Sequence, residues 1–150
     1  MTRITFGLLL FVTIFAQATL LPSVNPLAIT PDLVLVLLFL WSAVCGPREA
    51  LFWVFVGGVT LDILSMDPLG TNALALVCVA LLAGLARQRL YQSTVIVPVV
   101  LVVIATLIHG FVLYTLRGTS LDLFLLLQAV LHAILVPFFY FFVRRLARVS

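Results

Sequence analysis

Six apolar runs, separated only by short polar breaks, leave this chain almost no water-soluble way to fold. Several runs are longer than a buried soluble core needs, and no break is long and polar enough to form a soluble domain. Only 9% of the 150 residues are charged, against about 25% in a typical soluble domain. Mean hydropathy is +1.36. The polar surface cannot coat a globule in water. The expected fold class is therefore an all-α membrane protein, one integral membrane domain over residues 1–150 with six transmembrane helices.

Punctuation places the helices at 4–21, 31–45, 50–64, 71–86, 94–116 and 122–143. Ala16-Gln17-Ala18 resembles a signal-peptide cleavage site, but Leu20 and Leu21 prolong the apolar run, so an uncleaved first helix is expected. Gln17 and Thr19 are read as interfacial. Pro22 to Pro31 reads as a loop. Thr30 is suited to cap helix two, Pro31 to open it, and Asp32 to face the positive end of its dipole. Gly46-Pro47 stops that helix after about 15 residues, about 22 Å, short of a hydrocarbon core about 30 Å thick. Arg48-Glu49 marks the next turn. Helices two and three thus read as a short hairpin, packed inside the bundle or set in thinned bilayer. Pro98 falls in the first turn of helix five, and Arg117-Gly118-Thr119-Ser120 forms a tight turn.

The arginines set the orientation. With the N-terminus inside, Arg3, Arg48, Arg87, Arg89, Arg144, Arg145 and Arg148 lie on the inner side and only Arg117 lies outside, a strong positive-inside bias. Both termini are therefore expected in the cytoplasm, with a multi-pass membrane location. Phe138, Phe139, Tyr140, Phe141 and Phe142 end helix six as an inner aromatic belt. There is no lysine and no basic run mixed with aromatics, so nucleic acid is not an expected partner.

The most informative stretch is GGVTLDILSMDPLGTNAL, Gly57 to Leu74. Asp62 lies before its apolar run has ended, where a carboxylate costs about 2.5 kcal/mol at a helix centre and less near an interface. It also ends a helix, where the dipole disfavours an anion. It needs the amides at the start of helix four, Thr60, Asn72 or Arg117 as partners. Two readings stay open: a lock on the turn between helices three and four, or a contact to a partner. Gly58, one turn before Asp62, admits a close backbone. Pro68 and Gly70 shape the turn, and Asp32, Asp62, Asp67, Asn72, Arg117 and Asp122 form an outer polar cluster.

His109 and His132 are read as intramembrane polar residues, with Gln128 four residues before His132 on one face. Their expected use is interhelical hydrogen bonding among neutral imidazoles, Gln128 and hydroxyls. Ala80 and Gly84 make a small-xxx-small pair, which internal packing explains as well as dimerisation does. Cys45 and Cys78 lie in apolar runs as small hydrophobes, without zinc or redox spacing. No GxSxG, HExxH or Walker loop is present, and no carboxylate pair has an acid–base environment. The chain reads as no enzyme, with no catalytic, cofactor or metal site.

Gln17, Thr19, Leu20 and Leu21 ending helix one, Pro31-Asp32-Leu33-Val34-Leu35 opening helix two, and the Gly57–Leu74 stretch together resemble the MreD family, the rod shape-determining membrane proteins of bacteria. The resemblance is strongest from Pro31 to Leu74. It implies a non-enzymatic subunit of the cell-elongation machinery that binds MreC and links cytoplasmic MreB filaments to peptidoglycan synthesis. RodA and a class B transpeptidase are further implied partners, the lipid bilayer surrounds the bundle, and a homodimer is left open. It implies no cofactor. The hallmarks that transfer are Pro31-Asp32 and the turn residues Gly58, Asp62, Pro68 and Gly70. The family is also similar in overall bundle to the S components of energy-coupling-factor transporters, so a vitamin-like small-molecule binder is the alternative. Those components often carry Ala-x-x-x-Ala in helix one, whereas here Leu20 follows Ala16.

Overall fold

The fold is that of a computed structural model, which describes residues 3–20, 31–85, 96–118 and 123–147, the side chains of Phe124 and 140–147 excepted. Among these residues it is an all-α bundle of six helices. α1 spans Arg3–Phe15 and runs on as a π-helical turn over Ala16–Leu20. α2 is Leu33–Cys45, α3 Pro47–Ser65, α4 Thr71–Leu85, α5 Ile96–Arg117 and α6 Leu123–Ala147.

α2 is the axis of the bundle. Every residue from Val34 to Ala43 is buried, and the helix packs against each of the other five. A helix that is apolar all round must be enclosed all round. This accounts for its 13 residues: at about 20 Å it is a core element, without the length of a lipid-facing span. Phe6 of α1 stacks on Trp41 with ring centroids 3.9 Å apart. The Ser42 hydroxyl donates to the Ala80 carbonyl at 2.7 Å, tying α2 to α4.

The other half of the expected short hairpin is corrected. α3 begins at Pro47, not Ala50, and is 19 residues long, about 28 Å. Gly46 alone, at φ 98°, reverses the chain, and Pro47 takes a first-turn position where its missing N–H costs nothing. Arg48 and Glu49 thus belong to the first turn of α3 and not to a loop. α2 likewise begins later than expected, because Asp32 adopts φ −83°, ψ 85° and caps the helix itself. α6 runs to Ala147 and not 143, which places Arg144 and Arg145 in its final turns, favourable positions for cations. α5 includes Arg117.

The outer surface is apolar. Leu8, Phe11 and Val12 of α1, Phe52 and Phe55 of α3, Val100 and Phe111 of α5, and Val130, Ile134 and Phe138 of α6 are all exposed. Asp32, Asp62, Asn72, Thr106, His109 and His132 are buried. Lipid-facing apolar side chains around a partly polar interior are what a bilayer demands. Arg3–Leu20 and Ile96–Arg117 are the described helices long and apolar enough to cross a membrane, while Leu33–Cys45 and Thr71–Leu85 are shorter.

Two ion pairs mark opposite ends. Arg3 at the start of α1 pairs with Glu49 at the start of α3. Arg117 at the end of α5 pairs with Asp67 in the α3–α4 turn at 2.5 Å. The small-xxx-small pair of α4 faces inward: Ala80 accepts from Ser42, and a Cβ at Gly84 would lie 2.7 Å from Pro47 Cβ. Cys45 and Cys78 are half-buried and form no disulfide among the described residues. Several expectations fall outside the described residues: the loop 22–30 with Thr30, Arg87 and Arg89, the Thr94 start, Thr119, Ser120, Asp122 and Arg148. The side chains of Tyr140, Phe141, Phe142, Arg144 and Arg145 do as well.

Candidate functional site

The α3–α4 junction is built around the Asp62 carboxylate, which is fully buried. Oδ2 accepts from the Gly70 amide at 2.7 Å. Oδ1 accepts from the Asn72 amide at 2.9 Å and from Asn72 Nδ2 at 2.8 Å. The first N–H groups of a helix have no partner within it and carry a partial positive charge. Asp62 supplies that partner for α4 from the end of α3, so the unfavourable dipole of its own helix is offset by the favourable one of the next. Asn72 Nδ2 also reaches Asp67 Oδ2 at 3.3 Å, and Asp67 accepts from Arg117. One polar chain therefore runs from α3 through the turn and α4 to α5.

The backbone of the turn is built to match. The Met66 amide bonds the Ile63 carbonyl and the Asp67 amide the Asp62 carbonyl, at 3.4 and 3.0 Å, the paired bonds of a Schellman stop. Thr71 donates its amide and hydroxyl to the Pro68 carbonyl. Gly70 sits at φ +97°, open to glycine and strained for other residues. At Gly58, a Cβ would lie 2.7 Å from both the amide nitrogen and the Cβ of Ala73. The absence of that atom lets the α4 backbone reach the Asp62 face.

Met66 holds a left-handed conformation, φ 55°, with its side chain 95% exposed. Glycine suits this position and no packing would be lost. Met66→Gly is expected to stabilise the protein by about 0.5–1 kcal/mol, read as a higher unfolding midpoint in detergent.

A second polar set encloses the start of α2. Asp32 Oδ1 accepts from the Leu35 amide and from Gln17 Nε2, both at 3.0 Å. Gln17 Oε1 accepts from the Val34 amide at 3.1 Å. The Leu33 amide bonds the Pro31 carbonyl at 3.1 Å. The Asp32 amide donates to His132 Nε2 at 2.7 Å. With Nε2 an acceptor, the neutral His132 ring carries its hydrogen on Nδ1 and donates it to the Thr106 hydroxyl at 2.8 Å. Thr106 donates in turn to the Val102 carbonyl. Every amide from Asp32 to Leu35 is thus satisfied by protein at a helix start where Asp32, Val34 and Leu35 are buried. His109 Nε2 lies 3.7 Å from Asp32 Oδ2 and has no hydrogen bond.

This regroups the expected clusters. Asp32 leaves the outer acidic set and joins the two histidines, while Asp62, Asp67, Asn72 and Arg117 stay together. Thr106 and Gln17 take part in this network, although the sequence marked neither as a candidate site residue. Gln17 had a signal, an amide inside an apolar run, but its reach depends on the π turn that carries it. Gln128 is half-buried on α6, one turn before His132. Among the described residues no group of three or more His, Cys, Asp or Glu side chains could hold a metal.

A family model described as rod shape-determining protein MreD matches residues 1–148. The chain belongs to the MreD family. Nothing matches it among curated proteins or among solved structures. MreD membership makes it a non-enzymatic membrane subunit with a part in cell shape. The MreD match spans both polar sets and all six helices.

Proposed function

We propose that this MreD-family chain is a scaffold of the bacterial cell-elongation machinery. It lies in the cytoplasmic (inner) membrane as a multi-pass protein with both termini inside. It binds MreC and links cytoplasmic MreB filaments to peptidoglycan synthesis by RodA and a class B transpeptidase. The observation that carries this reading is the use made of the two buried carboxylates. Asp32 and Asp62 both accept from backbone amides at helix starts. Such groups hold a shape for a partner to recognise. The orientation is supported by Arg3 and Arg48 at one end of the bundle and Arg117 at the other. The likeness of the bundle to energy-coupling-factor S components belongs to the same proposal, as an arrangement reused for scaffolding.

The experiment is copurification with MreC at matched levels of folded protein. Asp62→Ala is expected to lower MreC recovery about fivefold, the equivalent of about 1 kcal/mol of binding. Full recovery of MreC with the folded variant overturns a contact that depends on the α3–α4 junction.

A further inference from the structure

At the end of the bundle where α1 and α3 begin lies a cavity of about 400 Å³ lined by Arg3, Arg48, Glu49, Phe52 and Trp53. Its size falls within the range of small-molecule sites, about 300–1,000 Å³. Its chemistry is divided. One side carries two guanidinium groups and one carboxylate, and the other carries two aromatic rings. Glu49 is engaged by Arg3, whereas Arg48 is exposed and makes no hydrogen bond or ion pair among the described residues. The cavity therefore presents one uncompensated cation.

The aromatic wall is held in place. Trp53 lies over Gly7, where a Cβ would come within 2.5 Å of the indole. Phe6 meets the same ring edge-on at 5.6 Å, and Phe52 packs against it at 5.2 Å. Phe52 itself is 61% exposed on the lipid-facing side of α3. Guanidinium groups bind phosphate with directed hydrogen bonds, and tryptophan and phenylalanine accept the glycerol and upper acyl region of a lipid. The first turn of α3 adds a helix start with no side-chain cap, a weak attraction for an anion.

We propose that this cavity is a binding site for the phosphodiester headgroup of an anionic glycerophospholipid. Arg48 contacts the phosphate, Arg3 is held beside it by Glu49, and the acyl chains leave along Phe52. A bound lipid would brace α1 against α3 at the end opposite the Asp62 junction. The site depends on the membrane location of the bundle and on neither the orientation nor the partners proposed above.

The test is fluorescence of the full chain reconstituted in vesicles of phosphatidylcholine containing a minor fraction of brominated phosphatidylglycerol or brominated phosphatidylcholine. Trp53 alone reports on the cavity when Trp41, which stacks on the Phe6 that also meets Trp53, is replaced by phenylalanine in every chain tested. Quenching by brominated phosphatidylglycerol is expected to saturate at a concentration about fivefold lower than for the choline lipid, the equivalent of about 1 kcal/mol for one arginine. Arg48→Gln is expected to abolish that preference, while Arg117→Gln, an equal loss of charge at the opposite end of the bundle, retains it. Equal quenching of the chain bearing Trp41→Phe alone by the two lipids overturns the proposal without any further variant. Equal loss in both variants overturns it in favour of diffuse surface charge. Displacement of the quenching by millimolar inorganic phosphate overturns it in favour of a soluble phosphate ligand.

Discussion

Asp62→Ala is expected to destabilise the protein by about 3 kcal/mol. Hydrogen bonds to a charged acceptor contribute about 1.5–3 kcal/mol each, and a buried donor left without a partner carries its full desolvation cost. Asp62 receives three such bonds, two of them from backbone amides at the start of α4. The estimate stays below their sum because Asn72 Nδ2 keeps its contact to Asp67, and because hydrogen bonds within membranes are individually weak, about 0.6 kcal/mol on average. Asp62→Asn retains one carbonyl acceptor but turns an NH₂ group toward an amide donor, so it is expected to fall between alanine and wild type. Unfolding midpoints in detergent check the order wild type, Asn, Ala. A wild-type midpoint for Asp62→Ala would remove the carboxylate from the account of the α3–α4 junction.

Gly58→Leu is expected to cost more than about 3 kcal/mol, beyond the usual 1–3 kcal/mol of an overpacked core. The obstacle is backbone: the new Cβ would lie 2.7 Å from the Ala73 amide nitrogen as well as from its Cβ. A flexible side chain could turn aside, but here the whole start of α4 must move, and the Asn72 amide with it. Gly58→Ala is expected to show most of the loss, since the Cβ alone produces the clash. Ala73→Gly in the same chain is expected to restore only part, because the backbone contact remains; a double-mutant cycle measures that share. The adjacent glycine is the control. A Cβ at Gly57 meets Leu10 Cδ2 at 3.5 Å, ordinary contact, so Gly57→Ala is expected to lie within about 0.5 kcal/mol of wild type.

Both predictions concern residues that local sequence logic could reach. Asp62 lies in the last turn of α3, nine residues before α4 begins at Thr71, so a short turn returns the amides of α4 to its carboxylate. Gly58 lies one turn before Asp62 on the same helix. Asp32 was different. Its position in the chain placed it with the other outer acids, but its partners Gln17 and His132, and the Thr106 that holds His132, come from three other helices. Their meeting depends on how α1, α5 and α6 are arranged around α2. The π turn over Ala16–Leu20 that carries Gln17 onto α2 had no sign in the apolar pattern. The short loop expected at Arg48-Glu49 failed because one glycine, Gly46, completes the reversal and leaves Pro47 free to start α3 at once.

What the sequence determined by itself was the count of helices, their apolar setting and the place of the polar turn between α3 and α4, because hydropathy, caps and turn residues act over neighbouring positions. The tertiary structure alone decided which helix is central and which polar groups meet. A uniformly apolar segment such as Val34 to Ala43 carries no periodicity to say whether lipid or protein surrounds it. Only the packing of five helices against it makes α2 the axis, and burying its first turn away from water then requires Gln17, Asp32 and His132 to come together.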